Sequence, residues 1–456
     1  PNTHHPSPNT HHPTPITQVF IVNGPHGLRR KVEQLLPSFF PLKTGLTTGT
    51  CATAAAIAAL TGLRCVQVRL PNGEDIDVEV AHVEPGKASV IKYAGDDPDM
   101  TDGLEICAEV KSLHPTPNTQ HPSPNTHHPT PITILGGEGV GRVTLPGLGL
   151  PIGSAAINEV PQQMIRENLR LCLHRSPLTS LLPLEGELEG VSSLLESLVV
   201  TISVPKGREV AAQTFNPRIG VVDGISIIGT SGIVRPLSSD AWISSIRKEM
   251  SVGLAVVKGD TIVINSGAKS ERFLRQHLPH LPEQAFIHYG NFIGETLRIA
   301  DELITQHLPL EGHTPHLPLE GELEGVSTHH LAPRSPHLPL EGELEGVPRS
   351  SKIIMGVMIG KAVKLAEGHV NTHSHQVTMN RDFLLQLATE ACLTEAACES
   401  IKSLNMAREL WDILPADDMR RLAHVIIDHC HRHCAPLLPH GKLSILLISE
   451  KGEIFE

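Results

Sequence analysis

The chain repeats itself almost word for word, and that bounds which of its residues can belong to a packed fold. "PNTHHPSPNTHHPTPIT" at Pro1–Thr17 returns as "PNTQHPSPNTHHPTPIT" at Pro117–Thr133, with His4 replaced by Gln120 as the one difference. "LPLEGELEGV" occurs at Leu182–Val191, Leu317–Val326 and Leu338–Val347, with a fragment at Leu308–Gly312. The copies are irregularly spaced, so they are not the stacked units of a solenoid. Segments packed in different surroundings need different residues, so near-identical copies read as low-complexity surface insertions. Such inserts cost little in existing loops: doubling a loop adds only about 0.6 kcal/mol of closure entropy.

With the repeats set aside, four blocks carry the fold: roughly 18–112, 134–174, 194–306 and 351–456. The formal charge of -12 over 456 residues argues against nucleic acid as a partner, and ten of the glutamates behind it stand in the Glu/Gly repeats. About half of the histidines fall in or beside inserts, so their number says little about metal. There is no signal-like apolar stretch at the start and no apolar run of the roughly 18 residues that span a bilayer. Eight cysteines in a chain this long do not suggest a disulfide framework. We therefore expect a cytoplasmic protein with reduced thiols and no membrane partner.

The first block opens with "GLTTGTCATAAAIAAL", Gly45–Leu60, read as a helix with Thr48 or Thr50 as N-cap and Gly62 as its stop. "LRCVQVRL" and "IDVEV" alternate across the turn "PNGE" as a β-hairpin, and "ASVIKY", "EICAEV" and "SLVVTISV" add strands. A helix is expected at Pro161–Leu173. Later, "TIVINSGAKSERFLRQHL", "AFIHYGNFIGETLRIADEL" and "SKIIMGVMIGKAVKLAEG" each read as strand, glycine turn, helix. Such βα units predict a parallel sheet. From about Arg381 the chain reads as helical, closing on the strand "KLSILLIS". The expected class is α+β and α/β. A low-complexity tail at 1–17 precedes a mixed α+β domain at 18–235, with inserts near 113–133 and 175–193. An α/β domain follows at 236–456, with an insert near 307–350.

Several stretches can carry chemistry. Hydroxyls at a helix mouth cap it, and with the orphan amides there they can also hold a carboxylate or phosphate. Cys51 shares that position, where a thiol pKa is lowered. "AGDDPDMTDG", Ala94–Gly103, can bind a hard cation, act as a base or simply cap backbone amides; it lacks EF-hand spacing. "GGEGVGRVTLPGLGLPIG" is no dinucleotide fingerprint, because Pro146 and Pro151 follow where a helix must. Glu138 stands among its glycines. "NTHSH" at Asn371–His375 can be catalytic, metal-binding or a polar turn. In "HCHRHC", His429/His433 and Cys430/Cys434 have zinc-compatible i,i+4 spacing, yet four ligands so close on one helix cannot surround one ion.

Taken in order, "TTGTCATAAA", "AGDDPDMTDG", "GGEGVGRVTLPGLGLPIG" with "AIN", "FNPRIG", "GISIIGTSGIVRP", "GNFIGETL" and "GKAVKLAEGHVNTHSH" resemble the cobalt-precorrin-5B C1-methyltransferases, the CbiD proteins of anaerobic cobalamin biosynthesis. They cover all four blocks, and the inserts fall between them. The resemblance implies transfer of a methyl group from S-adenosylmethionine to C1 of a corrinoid precursor, with cobalt arriving in the substrate and no metal site of the protein's own. For a polycarboxylate substrate it makes Arg142, Arg218 and Arg235 the candidate carboxylate ligands, since Arg binds carboxylates bidentately. Thr47, Thr48 and Thr50 are candidates for an anion site, and Asp97, Glu138 and His373 for proton movement at the macrocycle. Gly267, Gly290 and Gly360 lie at predicted strand ends, where open α/β sheets bind ligands; with Asn291 and Gly294 they are the expected donor site. Two other readings remain at this point. One is a nicotinamide-dependent corrinoid reductase, weakened by the missing G-x-G-x-x-G. The other is a corrinoid or metal carrier. The oligomeric state is open.

Overall fold

A computed structural model describes residues 42–113, 132–175, 197–258, 260–306, 351–372 and 378–456. The tail at 1–17 and most of each insert lie outside the described residues. One repeat reaches into the fold: Ile132 and Thr133, the last residues of the second Pro-rich copy, begin a strand, and Ile132 is buried. The insert expected to end at 133 therefore ends sooner, because strand pairing recruits its apolar tail. The chain divides into two compact units, one with residues up to 144 and 153–238, the other with 145–152 and 239–456.

The first unit begins with the short strand β1 (Gly45–Leu46) and helix α1 (Thr48–Thr61). Every α1 residue except Thr61 is buried. A helix apolar all round belongs inside a core, and alanine supplies both helix propensity and a thin profile there. Thr47, one residue before the earlier of the two expected caps, is the N-cap. Gly62 closes the helix at φ 73°, the left-handed C-cap that favours glycine. The hairpin β2 (Cys65–Arg69) and β3 (Asp75–Glu79) pairs Val66 with Val78 and Val68 with Ile76.

Next come β4 (His82–Glu84), β5 (Lys87–Ile91), β6 (Glu105–Leu113), β7 (Ile132–Gly136), β8 (Arg142–Val143), α2 (Glu159–Arg175), β9 (Ser197–Ser203), β10 (Val221–Val222) and β11 (Ile233–Val234). The main sheet runs β4-β5-β6-β9-β7, antiparallel except for the β7–β9 pair. Parallel neighbours need a crossover, and α2 lies on the one joining β7 to β9. Val90, Ile106, Ala108, Val110, Leu198 and Val200 share one core with α1.

The second unit holds α3 (Ser239–Val256), β12 (Thr261–Asn265), α4 (Ala268–His277), β13 (Phe286–His288), α5 (Ile293–Gln306), β14 (Lys352–Met358) and α6 (Ile359–Ala366). Then follow α7 (Arg381–Glu390), α8 (Glu395–Lys402), α9 (Ala416–Cys434), β15 (Lys442–Ile448) and β16 (Ile454–Phe455). The sheet order is β13-β12-β14-β15-β16, parallel except for the terminal β15–β16 pair. The three expected βα units form as read, and "KLSILLIS" joins them as β15. α3, α5, α6 and α9 contribute to the core on one face, and Leu274 of α4 packs with Val263, Phe286 and Ile354 on the other. Among the described residues no helix is long and apolar enough to cross a membrane.

From β12 the chain adds β13 on one side and, later, β14 on the other. The carboxyl ends of β12 and β14 thus flank a topological switch point, the place where open parallel sheets leave a crevice for a ligand.

Candidate functional site

At the switch point the three strand ends are tied in a row. Asn265 ends β12 and pairs in register with Gly356 of β14. Just beyond β13, the Tyr289 amide donates to the Asn265 carbonyl at 2.8 Å, and the Tyr289 hydroxyl donates to the Gly356 carbonyl at 3.0 Å. Tyr289 is fully buried, and that burial pushes its phenol far above the ordinary range, so it stays a neutral donor. Asn265, also fully buried, orders the turn after it: its Oδ1 accepts from the Gly267 amide at 3.0 Å, and its Nδ2 donates to the Ile287 carbonyl at 3.3 Å.

The turn after β13 is held from two sides. Gly290 has φ 58°, and a Cβ there would lie 3.0 Å from the Trp242 ring of α3, so both backbone and space call for glycine. The Lys361 ammonium, on the first turn of α6, donates to the Gly290 carbonyl and, at 3.0 Å, to Asn291 Oδ1. It also lies 5.4 Å from the Tyr289 ring centroid. The Asn291 carbonyl accepts from the Thr372 amide at 3.1 Å, and Phe292 bridges Asn371, so the start of "NTHSH" lies along this turn. His373 itself lies outside the described residues.

The predicted donor residues separate by surroundings. Gly267 and Gly360 open onto space: a Cβ on either meets nothing within 4 Å. Gly294 does not, because its Cβ would press on Val370 at 2.9 Å and its amide donates to the Val370 carbonyl. Gly294 thus packs closely on Val370, while Gly290 and Asn291 lie in the turn braced by Lys361. Neither α4 nor α6 has a side-chain N-cap, so their first-turn amides are not capped in the way α1's are. Uncapped helix N-termini favour an anion. Sequence reasoning passed over Lys361, Tyr289 and Trp242; the one available signal was that Lys361 directly follows Gly360 in a quoted motif.

In the first unit the threonines do the capping work expected of hydroxyls at a helix mouth. Thr47 Oγ1 accepts from the Thr50 amide at 3.1 Å, and the Thr50 hydroxyl donates to the Gly232 carbonyl at 2.6 Å. Thr48 Oγ1 accepts from the Ile228 amide at 2.8 Å and donates to the Ile228 carbonyl at 3.2 Å. The Gly49 amide reaches the same carbonyl at 2.9 Å. Segment Ser226–Gly232 therefore lies against the α1 mouth, and the hydroxyls cap the helix and staple that segment to it. Cys51 is fully buried, and burial pushes its thiol up to about 12, away from the lowered value a helix mouth alone would give.

The acidic loop also folds inward. Asp96 accepts from the Lys43 amide at 2.7 Å, Asp97 from the Leu237 amide at 2.9 Å and Asp102 from the Ala94 amide at 2.7 Å. Asp99 pairs at 2.7 Å with Lys92, whose side chain is only 1% exposed. Burial acts to raise the Asp99 pKa, but attraction and hydrogen bonding from Lys92 and hydrogen bonds from Thr101 outweigh it and hold the carboxyl below its usual range. Asp97 remains partly exposed with one oxygen engaged, and Arg235 lies two residues from its partner Leu237. The glycine loop packs on its own chain: a Cβ on Gly139 would lie 1.8 Å from the Val204 carbonyl. Glu138 projects from that loop exposed. Arg142, exposed, pairs across the β8–β10 ladder with Val222, and Arg218, half-buried, lies on the turn entering β10.

"HCHRHC" splits by face. Cys430 and Cys434 are buried in the core, and the Cys430 thiol donates to the Ala362 carbonyl at 3.2 Å. His429 pairs with Glu390 at 2.8 Å. Among the described residues no group of three or more His, Cys, Asp or Glu side chains could hold a metal ion.

The fold is that of an α+β and α/β protein whose parallel sheet carries, at its carboxyl edge, the braced turn at Gly290 and the open glycines Gly267 and Gly360. The chain belongs to the CbiD family: residues 37–236 match CbiD, and 371–455 match CbiD, C-terminal domain. It is similar to proteins named cobalt-precorrin-5B C(1)-methyltransferase. The one from Prosthecochloris aestuarii is 36% identical over 90% of this chain and 94% of its own length. The one from Geobacillus kaustophilus is 34% identical over 86% and 87%. A crystal structure of cobalamin biosynthesis protein CbiD from Archaeoglobus fulgidus is 28% identical, covering 58% of this chain and 79% of that one, with a TM-score of 0.32.

Proposed function

We propose that the protein is an S-adenosylmethionine-dependent methyltransferase that methylates C1 of cobalt-precorrin-5B to give cobalt-precorrin-6A in anaerobic cobalamin biosynthesis. The observation that carries this reading is likeness over nearly the whole length of a relative bearing that activity in its name.

Methyl transfer is an in-line displacement, and S-adenosylmethionine supplies the electrophilic methyl group. The protein's part is to hold donor and acceptor carbon in line and to exclude water. The second unit suits a donor of this kind, which has a flat ring system and an amino-acid carboxylate. Gly267 and Gly360 leave open space at the switch point, and the uncapped starts of α4 and α6 favour a carboxylate. Gly290 and Asn291 would form the adjoining wall. For the corrinoid carboxylates the first unit offers the guanidinium groups of Arg142, Arg218 and Arg235, and for proton movement the carboxylates of Asp97 and Glu138. Cobalt belongs to the substrate.

The test is anaerobic incubation with cobalt-precorrin-5B and methyl-labelled S-adenosylmethionine, followed by mass spectrometry of the corrinoid. One methyl added at C1, with S-adenosylhomocysteine released, is the expected result. A folded protein that transfers no label, with and without residues 308–347, would sink the proposal.

A further inference from the structure

We infer that Lys361 is a positioning residue that pre-forms the donor crevice; this rests on the donor site proposed above. Its ammonium belongs to the turn that follows β14, yet both of its described acceptors, the Gly290 carbonyl and Asn291 Oδ1, belong to the turn that follows β13. Lys361 thus joins two βα turns separated by β12 in the sheet. Beneath it the Tyr289 ring makes the same crossing, from the Asn265 carbonyl at its amide to the Gly356 carbonyl at its hydroxyl. Trp242 backs the Gly290 turn from α3.

The physical consequence is pre-organisation. A glycine turn at positive φ has many alternatives when free, and ordering it during binding costs affinity. A charge-assisted bond to its carbonyl removes those alternatives beforehand. The positive charge also adds to the electropositive start of α6, so a carboxylate is favoured there over the cationic sulfur of the donor. Lys361 thereby sets which end of the donor lies toward α6.

The experiment measures S-adenosylhomocysteine binding by calorimetry to the full chain and to Lys361→Met and Lys361→Arg, with amide exchange on each. In the wild type, ligand is expected to slow exchange at 265–270 and 358–363. The 290–292 amides are expected to be slow already without ligand. Lys361→Met is expected to weaken binding by about tenfold to a hundredfold, as for loss of a charge-assisted bond, and to raise the donor KM with the corrinoid KM unchanged. Lys361→Arg is expected to recover much of the loss. Wild-type affinity in Lys361→Met, with ligand still protecting those segments, overturns the role of Lys361 and leaves the donor site standing. Loop-like exchange at 290–292 in the unliganded wild type overturns it without any variant. Protection confined to the first unit overturns the donor site itself.

Discussion

The Tyr289 hydroxyl meets the Gly356 carbonyl at 3.0 Å, past the end of the strand between them. It ties the residue that follows β13 to β14, which is not β13's neighbour in the sheet, and it lies under the proposed crevice. Tyr289→Phe keeps the ring beneath Lys361 and deletes only the hydroxyl. Leaving a buried carbonyl short of a partner costs about 1–3 kcal/mol. Urea unfolding is expected to show that loss with an unchanged slope. An unaltered midpoint would mean that the hydroxyl does not brace the sheet end.

The α1 threonines give a prediction that separates stapling from ligand binding. Thr50→Val keeps the shape and removes the donation to the Gly232 carbonyl. Thr47→Ala removes the N-cap. Each should lower stability by about 1 kcal/mol. Neither should change the KM for donor or corrinoid. A raised KM at wild-type stability would return the α1 mouth to the list of anion sites.

Local pattern was legible where one element decides its own state. The alternation in "LRCVQVRL" gave the β2–β3 hairpin, and the three βα units gave the parallel sheet and hence Gly267 and Gly360 at its carboxyl edge. What failed to show was long-range pairing. Nothing near Thr48 says that Ile228, 180 residues on, fills the helix mouth. Asp99 looks like a cation ligand until Lys92 is found buried beside it. Lys361 is one lysine among many until the sheet order brings the turn after β13 within its reach. Residue type and spacing report what a group can do, and only the fold reports which groups are already satisfied.

The Lys92–Asp99 pair sets an acid limit on the first unit. The folded Asp99 pKa is depressed, so its contribution is fully present above the unfolded value of about 3.9 and is lost as pH falls through the folded value. Lys92→Met leaves the partly buried Asp99 carboxylate without its cation, and about 1–3 kcal/mol of destabilisation is expected at pH 7. Lys92→Met combined with Asp99→Asn should be less damaging than the lysine change alone. Denaturation of all four forms at pH 7 and pH 3 gives the coupling directly. Additive losses at pH 7 would show that the two side chains do not act as a pair.

Thiol chemistry tests the assignment of Cys51. Cys65 and Cys392 are exposed, whereas Cys51, Cys430 and Cys434 are buried. Burial holds the Cys51 and Cys434 thiols at about 12 and Cys430 well above its ordinary value. The thiolate is the reactive form, so at pH 8 these three are expected to stay unmodified in the folded protein. A thiol-reactive probe followed by peptide mass spectrometry should label Cys65 and Cys392 within minutes and the buried three only after denaturant is added. Cys51→Ala removes a small side chain from a site that an alanine helix already fills, and it is expected to retain methyl transfer. Rapid labelling of Cys51 in the folded state, or loss of transfer in Cys51→Ala with its melting temperature kept, would make that thiol part of the chemistry after all.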